Sequence, residues 1–177
     1  MSIVRERKGR STTVHDERLQ VVTFEVGGEE FGLAIGSILE VVRPLRITQL
    51  PCMPPFIEGV INLRGMIIPV VDLRRRFSLT LPSPNQRTVR TLIIRGAVPG
   101  ARAGRDLLGL VVDSVREVLH IPAAAIETAP EAATGSSADF IAGVAKAADR
   151  LIILLDIKKL LSHTERAALA EVDDVHP

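Results

Sequence analysis

The chain has 177 residues, which suits one ordinary domain, and its 46% hydrophobic residues and mean hydropathy of +0.25 can supply a buried core. A formal net charge of +1 and 3% aromatic residues, without Trp or Tyr, disfavour nucleic acid, whose binding favours basic surfaces and stacking rings. A polar start, short apolar runs and a single cysteine, Cys52, predict a soluble protein of the reducing cytoplasm.

Residues 1–18 are polar and are predicted to form a flexible tail. Short strands follow: Val22, Phe24 and Val26 alternate with polar residues, as in a half-buried strand, and the Gly27-Gly28 turn leads to apolar runs at 31–35 and 38–42. Further on, two apolar runs flank residues 63–65 and predict a hairpin there.

Helices are predicted at three places. Asp72 and Asp156 each precede a short apolar segment and are expected to be N-caps, because their carboxylates can accept backbone N–H groups. Ser162 and Glu165 form a capping-box pattern, so a helix is expected in the C-terminal region 162–177.

An internal repeat organises the chain. Residues 56–60 (FIEGV) recur as 140–144 (FIAGV), and residues 67–73 recur at the same offset as 151–157, while upstream segments match at an offset shorter by about seven residues. The extra residues of the second copy are expected in a loop at 127–138. We therefore expect one domain over 19–161, made of two subdomains at about 19–80 and 86–161, with a proline-containing linker between them. Many short strands predict a mainly β fold of small barrels or sandwiches.

Residues able to carry catalysis do not converge in the sequence. The histidines and the single cysteine lack metal-ligand spacing, and phosphate-binding glycine loops and nucleophile-elbow motifs are absent. The acidic pairs Glu29-Glu30 and Asp173-Asp174 fall in a predicted turn and a predicted tail, without the burial that an acid–base pair needs. The sequence favours a binding or scaffold module over an enzyme, with no metal or cofactor.

One long run narrows this interpretation. Residues 56–73, FIEGVINLRGMIIPVVDL, resemble the signature of CheW-like domains, and the segments 31–42, 109–113 and 149–154 resemble that family too. The resemblance covers residues 19–161. It implies two intertwined five-stranded SH3-like barrels, a few short helices and a C-terminal helix. It also implies a non-enzymatic adaptor that couples the cytoplasmic tips of methyl-accepting chemoreceptors to the regulatory domain of a CheA-type histidine kinase, at membrane-associated receptor arrays.

The resemblance also assigns residues. Arg64, at the predicted hairpin tip, matches a functionally important arginine of the family, and Ile38 and Glu40 match positions of receptor contact. Asn62 belongs to the same run and joins them as a candidate partner-binding residue. Read without the resemblance, Arg64 is an exposed turn residue, Glu40 a solvated strand residue and Ile38 part of the core.

Four further residues are expected to be structural: Gly59, Gly65, Pro69 and Asp72. The second copy departs from the pattern, because 145–149 replaces 61–65 and the arginine tip is not repeated. Small residues at 132–133 leave open whether the second barrel makes the usual kinase contact. Two alternatives also stay open: a CheW-like scaffold for twitching motility or surface sensing, and an unrelated small-barrel binding module.

Overall fold

The structure, a computed structural model, describes residues 17–53, 55–80, 82–97, 106–129 and 139–172. These residues form two β-sheets, three short α-helices and two 3-10 turns. The first-half strands are β1 (Arg18–Val26), β2 (Glu29–Ala34), β3 (Ile38–Val42), β4 (Gly59–Leu63) and β5 (Met66–Asp72). The others are β6 (Arg90–Arg95), β7 (Leu107–Val112), β8 (Ser114–Pro122), β9 (Ile126–Glu127), β10 (Ile141–Ala147) and β11 (Arg150–Leu155). The helices are α1 (Leu73–Arg76), α2 (Ile157–Leu160) and α3 (His163–Val172).

Each sheet takes strands from both copies of the repeat. The six-stranded sheet has the order β8-β1-β2-β11-β10-β9, and the five-stranded sheet has the order β3-β6-β7-β5-β4. The hairpin β1–β2 therefore lies among second-copy strands, and its counterpart β6–β7 lies among first-copy strands. The predicted mainly β fold of two intertwined units is confirmed, but one sheet has six strands where five were expected, because the two-residue strand β9 pairs with β10. The sheets do not follow the predicted boundary at 81–86, because each half of the chain contributes one hairpin to the sheet of the other half.

Each exchanged hairpin is joined to strands of the other half of the chain by one parallel strand pair. Strand β11 pairs with β2 through Ile153 and Leu154, and β5 pairs with β7 over Val70–Asp72. All other strand pairs in the two sheets are antiparallel. A parallel pair needs a long crossover between its strands, so these two contacts bring together segments far apart in the chain.

A shared core lies where the two copies meet. Its buried residues come from both halves. Three of them, Phe24, Phe31 and Phe140, form a row of stacked rings with the partly buried Phe77, and neighbouring centroids lie 6.2, 4.9 and 5.0 Å apart. The row holds four of the five phenylalanines of the chain. Each large ring buries much apolar surface, so the few aromatic residues are concentrated where they hold the two copies together.

A partly buried ion pair fastens the first exchanged hairpin. The Arg74 guanidinium donates Nε to Asp113 Oδ1 at 2.6 Å and Nη2 to Asp113 Oδ2 at 2.8 Å, and the Gly27 amide in the β1–β2 turn donates to the same carboxylate at 2.8 Å. Arg74 also donates to the Pro82 carbonyl. Burial raises the pKa of Asp113, but the hydrogen bonds from Arg74 and Gly27 outweigh it and hold that pKa below its ordinary value.

The predicted helix ends are found in the structure. Asp72 and Asp156 accept backbone N–H groups two residues on, at 2.8 and 2.9 Å. At the start of α3, Ser162 Oγ accepts from the Glu165 amide and Glu165 accepts from the Ser162 amide. Arg76 donates to both Glu165 oxygens at 3.1 Å and to the Leu160 carbonyl, which docks the C-terminal helix against α1.

Two equivalent glycines, one in each copy of the repeat, allow a neighbouring backbone segment to approach closely. A Cβ on Gly59 would lie 2.5 Å from the Thr48 carbonyl oxygen, and a Cβ on Gly143 would lie 2.7 Å from the Glu127 carbonyl oxygen. Gly59 also has φ +149°, which side chains rarely allow. The recurrence of FIEGV as FIAGV thus has a steric cause.

We expect Asp113→Asn to lower the free energy of unfolding by about 2 kcal/mol, because Arg74 would lose a partly buried carboxylate. The folded-state pKa of Asp113 is depressed, so its contribution is present above the unfolded pKa of about 3.9 and is lost as pH falls through the folded pKa. Urea unfolding from pH 7 to pH 3 should show the deficit of the variant shrinking in acid. The exposed Asp139→Asn should track the parent, and a deficit independent of pH would contradict the ion-pair account.

We expect Gly59→Val to destabilise the fold by about 3 kcal/mol, since the side chain would collide with backbone and demand a strained φ. Thermal unfolding followed by circular dichroism measures this, and Gly143→Val should also be destabilised. Gly36→Ala is the matched control, because its added Cβ would meet nothing within 4 Å. Melting of Gly59→Val at the parent temperature would refute the close-approach explanation.

Candidate functional site

The β4–β5 hairpin tip presents an exposed arginine. Arg64 and Gly65 both have positive φ, +50° and +85°, as a two-residue hairpin turn with the twist of its strands requires. Asn62 Oδ1 accepts from the Gly65 amide at 2.9 Å and stabilises this turn. The Arg64 side chain remains 68% exposed, so the tip holds a guanidinium at the surface.

Arg64 and Glu40, two of the candidate residues, pair with each other. Arg64 Nη1 donates to Glu40 Oε1 at 2.6 Å and Nη2 donates to Oε2 at 3.0 Å, a bidentate arrangement. The hydrogen bonds lower the pKa of Glu40 and raise the pKa of Arg64, so both groups stay charged near neutral pH. The pair connects the β4–β5 tip to β3. Strands β3 and β4 form the two opposite edges of the five-stranded sheet.

A β-bulge separates Ile38 from Glu40. Ile38 lies opposite Ile94, but Glu40 lies opposite Ile93, so the register shifts at Leu39. Two residues that lie opposite each other on neighbouring strands point to the same face of the sheet. Because Ile93 and Ile94 are consecutive and point to opposite faces, Ile38 and Glu40 also point to opposite faces, although they are two residues apart. Ile38 packs against the core shared by the two copies. The structure brings Arg64, Glu40 and Asn62 to the hairpin end of the sheet and places Ile38 in a packing position.

The expected structural residues occupy demanding backbone positions. Gly59 faces the Thr48 carbonyl, and Gly65 takes the positive φ of the turn. Pro69, which cannot donate an N–H, lies one residue before the pairing of β5 with β7 begins at Val70. Asp72 caps α1.

Sequence reasoning missed an exposed aliphatic surface near the site. Leu39 and Val41 on β3 and Met66 and Ile67 at the hairpin tip are exposed, as are three aliphatic residues within 43–50. The signal available in the sequence was a run of mixed aliphatic and basic residues without strand or helix period, RPLRITQL. Exposed aliphatic residues that cluster in this way are typical of protein interaction sites.

Other kinds of site find little support among the described residues. No three His, Cys, Asp or Glu side chains there are grouped to hold a metal ion. Burial raises the pKa of Glu58, but the Arg75 guanidinium lies 3.0 Å from its carboxylate and opposes that shift. No helix within the described ranges is long and apolar enough to cross a membrane. The predicted loop at 127–138 begins in strand β9, which includes Glu127, and its residues 130–138, with the small residues at 132–133, lie outside the described residues.

Comparison with known proteins places these features in a family. The family described as CheW-like domain matches residues 20–165. The chain is 33% identical to the chemotaxis protein CheW of Treponema pallidum, covering 90% of this chain and 91% of that one. It is 34% identical to the chemotaxis protein CheW of Klebsiella aerogenes, covering 89% and 90%. The crystal structure of the scaffolding protein TtCheW from Thermoanaerobacter tengcongensis is similar, with a TM-score of 0.73, 36% identity and coverage of 84% and 96%.

Proposed function

The chain belongs to the CheW-like family, and we propose that it couples chemoreceptors to a histidine kinase in a chemosensory array. An adaptor role in chemotaxis follows from the relatives, which include a scaffolding protein. We propose two specific partners for this chain, namely the cytoplasmic tip of a methyl-accepting chemoreceptor and the regulatory domain of a CheA-type kinase. The adaptor would act in the cytoplasm, at receptor arrays in the membrane, and perform no catalysis itself.

The observation that carries this proposal is the surface around the Arg64–Glu40 pair. The pair is bidentate but exposed, and the hairpin tip that carries Arg64 also exposes the aliphatic side chains of Met66 and Ile67. Aliphatic contacts beside a small number of directed charges are the usual composition of a protein-binding surface. A receptor tip is a helical hairpin, so the apolar face of a helix could lie on the aliphatic residues while its polar groups meet Arg64 or Glu40.

The pair also suggests how the site stays ordered without a partner. Arg64 at a two-residue turn would sample many rotamers if it were unpaired, and Glu40 limits this freedom. Pre-ordering of a long side chain reduces the entropy lost when a partner binds. In this proposal Asn62 acts on the turn and not on the partner, and Ile38 supports β3 from the core side.

The adaptor could serve one of several cellular responses. Chemotaxis agrees with the names of the relatives, and a CheW-like scaffold for twitching motility or surface sensing would use the same surface. Deleting the gene and scoring swimming and twitching on soft agar and on a hard surface separates these outputs.

We expect Arg64→Glu to leave the melting temperature almost unchanged, because the side chain is exposed, and to weaken binding of the receptor tip or the kinase regulatory domain about tenfold. Titration calorimetry with each purified partner measures the loss. Glu40→Arg is the matched single variant.

The charge-swapped double variant, Arg64→Glu with Glu40→Arg, decides the role of the pair. It can restore the internal ion pair but presents reversed charges to a partner. Binding that stays weak supports direct contact. Full recovery of binding in the double variant would mean that the pair acts only within the fold, and normal binding by every variant would overturn the proposed site.

A further inference from the structure

A pocket of about 370 Å³ opens beside the six-stranded sheet, where the ends of β1, β2, β10 and β11 meet β9 and the start of α2. Its lining is mostly aliphatic, and its polar residues are Ser37, Asp156 and Lys158. Leu154 belongs both to the lining and to the small core cluster that includes Ile152, so the pocket continues the apolar interior of this sheet to the surface. Small-molecule sites are common at such openings of β-barrels.

The internal repeat allows this pocket to be compared with the same place in the first copy. Leu154 on β11 pairs with Gly32 on β2, just as Val70 on β5 pairs with Gly109 on β7. This common register fixes which residues correspond on both sides of the parallel strand pair. The two copies can therefore be compared position by position around the pocket.

The pocket is open because two small residues replace larger ones. Ala142 corresponds to Glu58, and Ala34 corresponds to Val111. In the first copy the Glu58 carboxylate is largely buried, with a side-chain exposure of 15%, and lies 3.0 Å from the Arg75 guanidinium. An unfilled apolar space forgoes dispersion contacts, so the pocket does not contribute to the stability of the fold.

The pocket also lacks a carboxylate that the first copy supplies. Lys158 corresponds to Arg74, whose guanidinium forms the bidentate ion pair with Asp113. Asp113 corresponds to Gly36, so the second copy retains the cation and loses its partner. Lys158 forms no ion pair with any residue that the structure describes. The nearby Asp156 carboxylate accepts the Lys158 amide as the cap of α2.

Space is available where the missing carboxylate would be. Gly36 lies in the 3-10 turn Ile35–Ser37, whereas Asp113 lies in a bend between β7 and β8, so the two turns differ in shape. A Cβ on Gly36 would meet nothing within 4 Å, and the φ of Gly36 is outside the left-handed region. The opening beside Lys158 is therefore not closed by the turn.

From these observations we propose that the pocket binds a small aliphatic carboxylate. The hydrocarbon chain lies among the aliphatic lining residues, and the carboxylate pairs with Lys158, as Asp113 pairs with Arg74 in the first copy. The lining offers few hydrogen-bonding groups and no aromatic ring, which favours a plain hydrocarbon chain over a sugar or a nucleotide. This site is separate from the surface around Arg64 and does not depend on the partners proposed above.

The test uses octanoate as the probe, followed through the backbone amide NMR signals of the full chain. Octanol has the same chain without the charge, and acetate has the charge without the chain. Lys158→Gln removes the cation, and Ala34→Val restores the larger residue of the first copy. Gly36→Asp supplies an internal carboxylate to Lys158, and Gly36→Asn is its uncharged control of similar size. The amide spectrum of each variant also reports whether it is folded.

We expect octanoate to shift the amide signals of the lining residues and acetate to leave them unchanged. Lys158→Gln and Gly36→Asp should each weaken octanoate binding about fivefold, while Gly36→Asn stays within about twofold of the parent. Octanol binding should be insensitive to Lys158→Gln, and Ala34→Val should weaken both probes. Octanoate that does not bind, or that shifts amides elsewhere in the chain, would overturn the site. Equal octanoate binding by Gly36→Asp and Gly36→Asn would overturn the role of Lys158.

Discussion

The exchange of two β-hairpins between the halves of the chain is the constraint on which the rest of the structure depends. Neither sheet can be completed by one half, because β1–β2 lies between β8 and β11 and β6–β7 lies between β3 and β5. The row of phenylalanines, the Arg74–Asp113 pair and the docking of α3 by Arg76 all join segments that are distant in the chain. A core of this kind relies on non-local contacts, which cost loop-closure entropy before they contribute stability.

Local features were accessible from sequence because their causes are local. Asp72 and Asp156 cap helices through amides two residues away, and Ser162 and Glu165 bond to each other within one turn. The β4–β5 hairpin followed from two apolar runs around Arg64-Gly65. The fold class could also be predicted from the sequence. The repeat and the family resemblance indicate it, because both depend on patterns that extend along most of the chain.

Long-range features were harder to derive. Nothing near Glu40 in the sequence indicates that Arg64, 24 residues later, will pair with it across the open edges of a sheet. The bulge at Leu39 turns Ile38 and Glu40 to opposite faces, whereas regular alternation would put them on one face. The exposed residues 43–50 carry no periodic sequence signal that marks them as surface, and their exposure depends on a position that only the folded sheets define.

The two parallel junctions, β2 with β11 and β5 with β7, also bear on how the molecule responds to load. Each junction lies within one sheet and joins a hairpin from one half of the chain to strands of the other half, so pulling the two halves apart along the strands loads its hydrogen bonds in shear. The covalent chain crosses between the sheets more than once, which adds further resistance. A load that separates the two halves of the chain therefore acts on paired strands in both sheets.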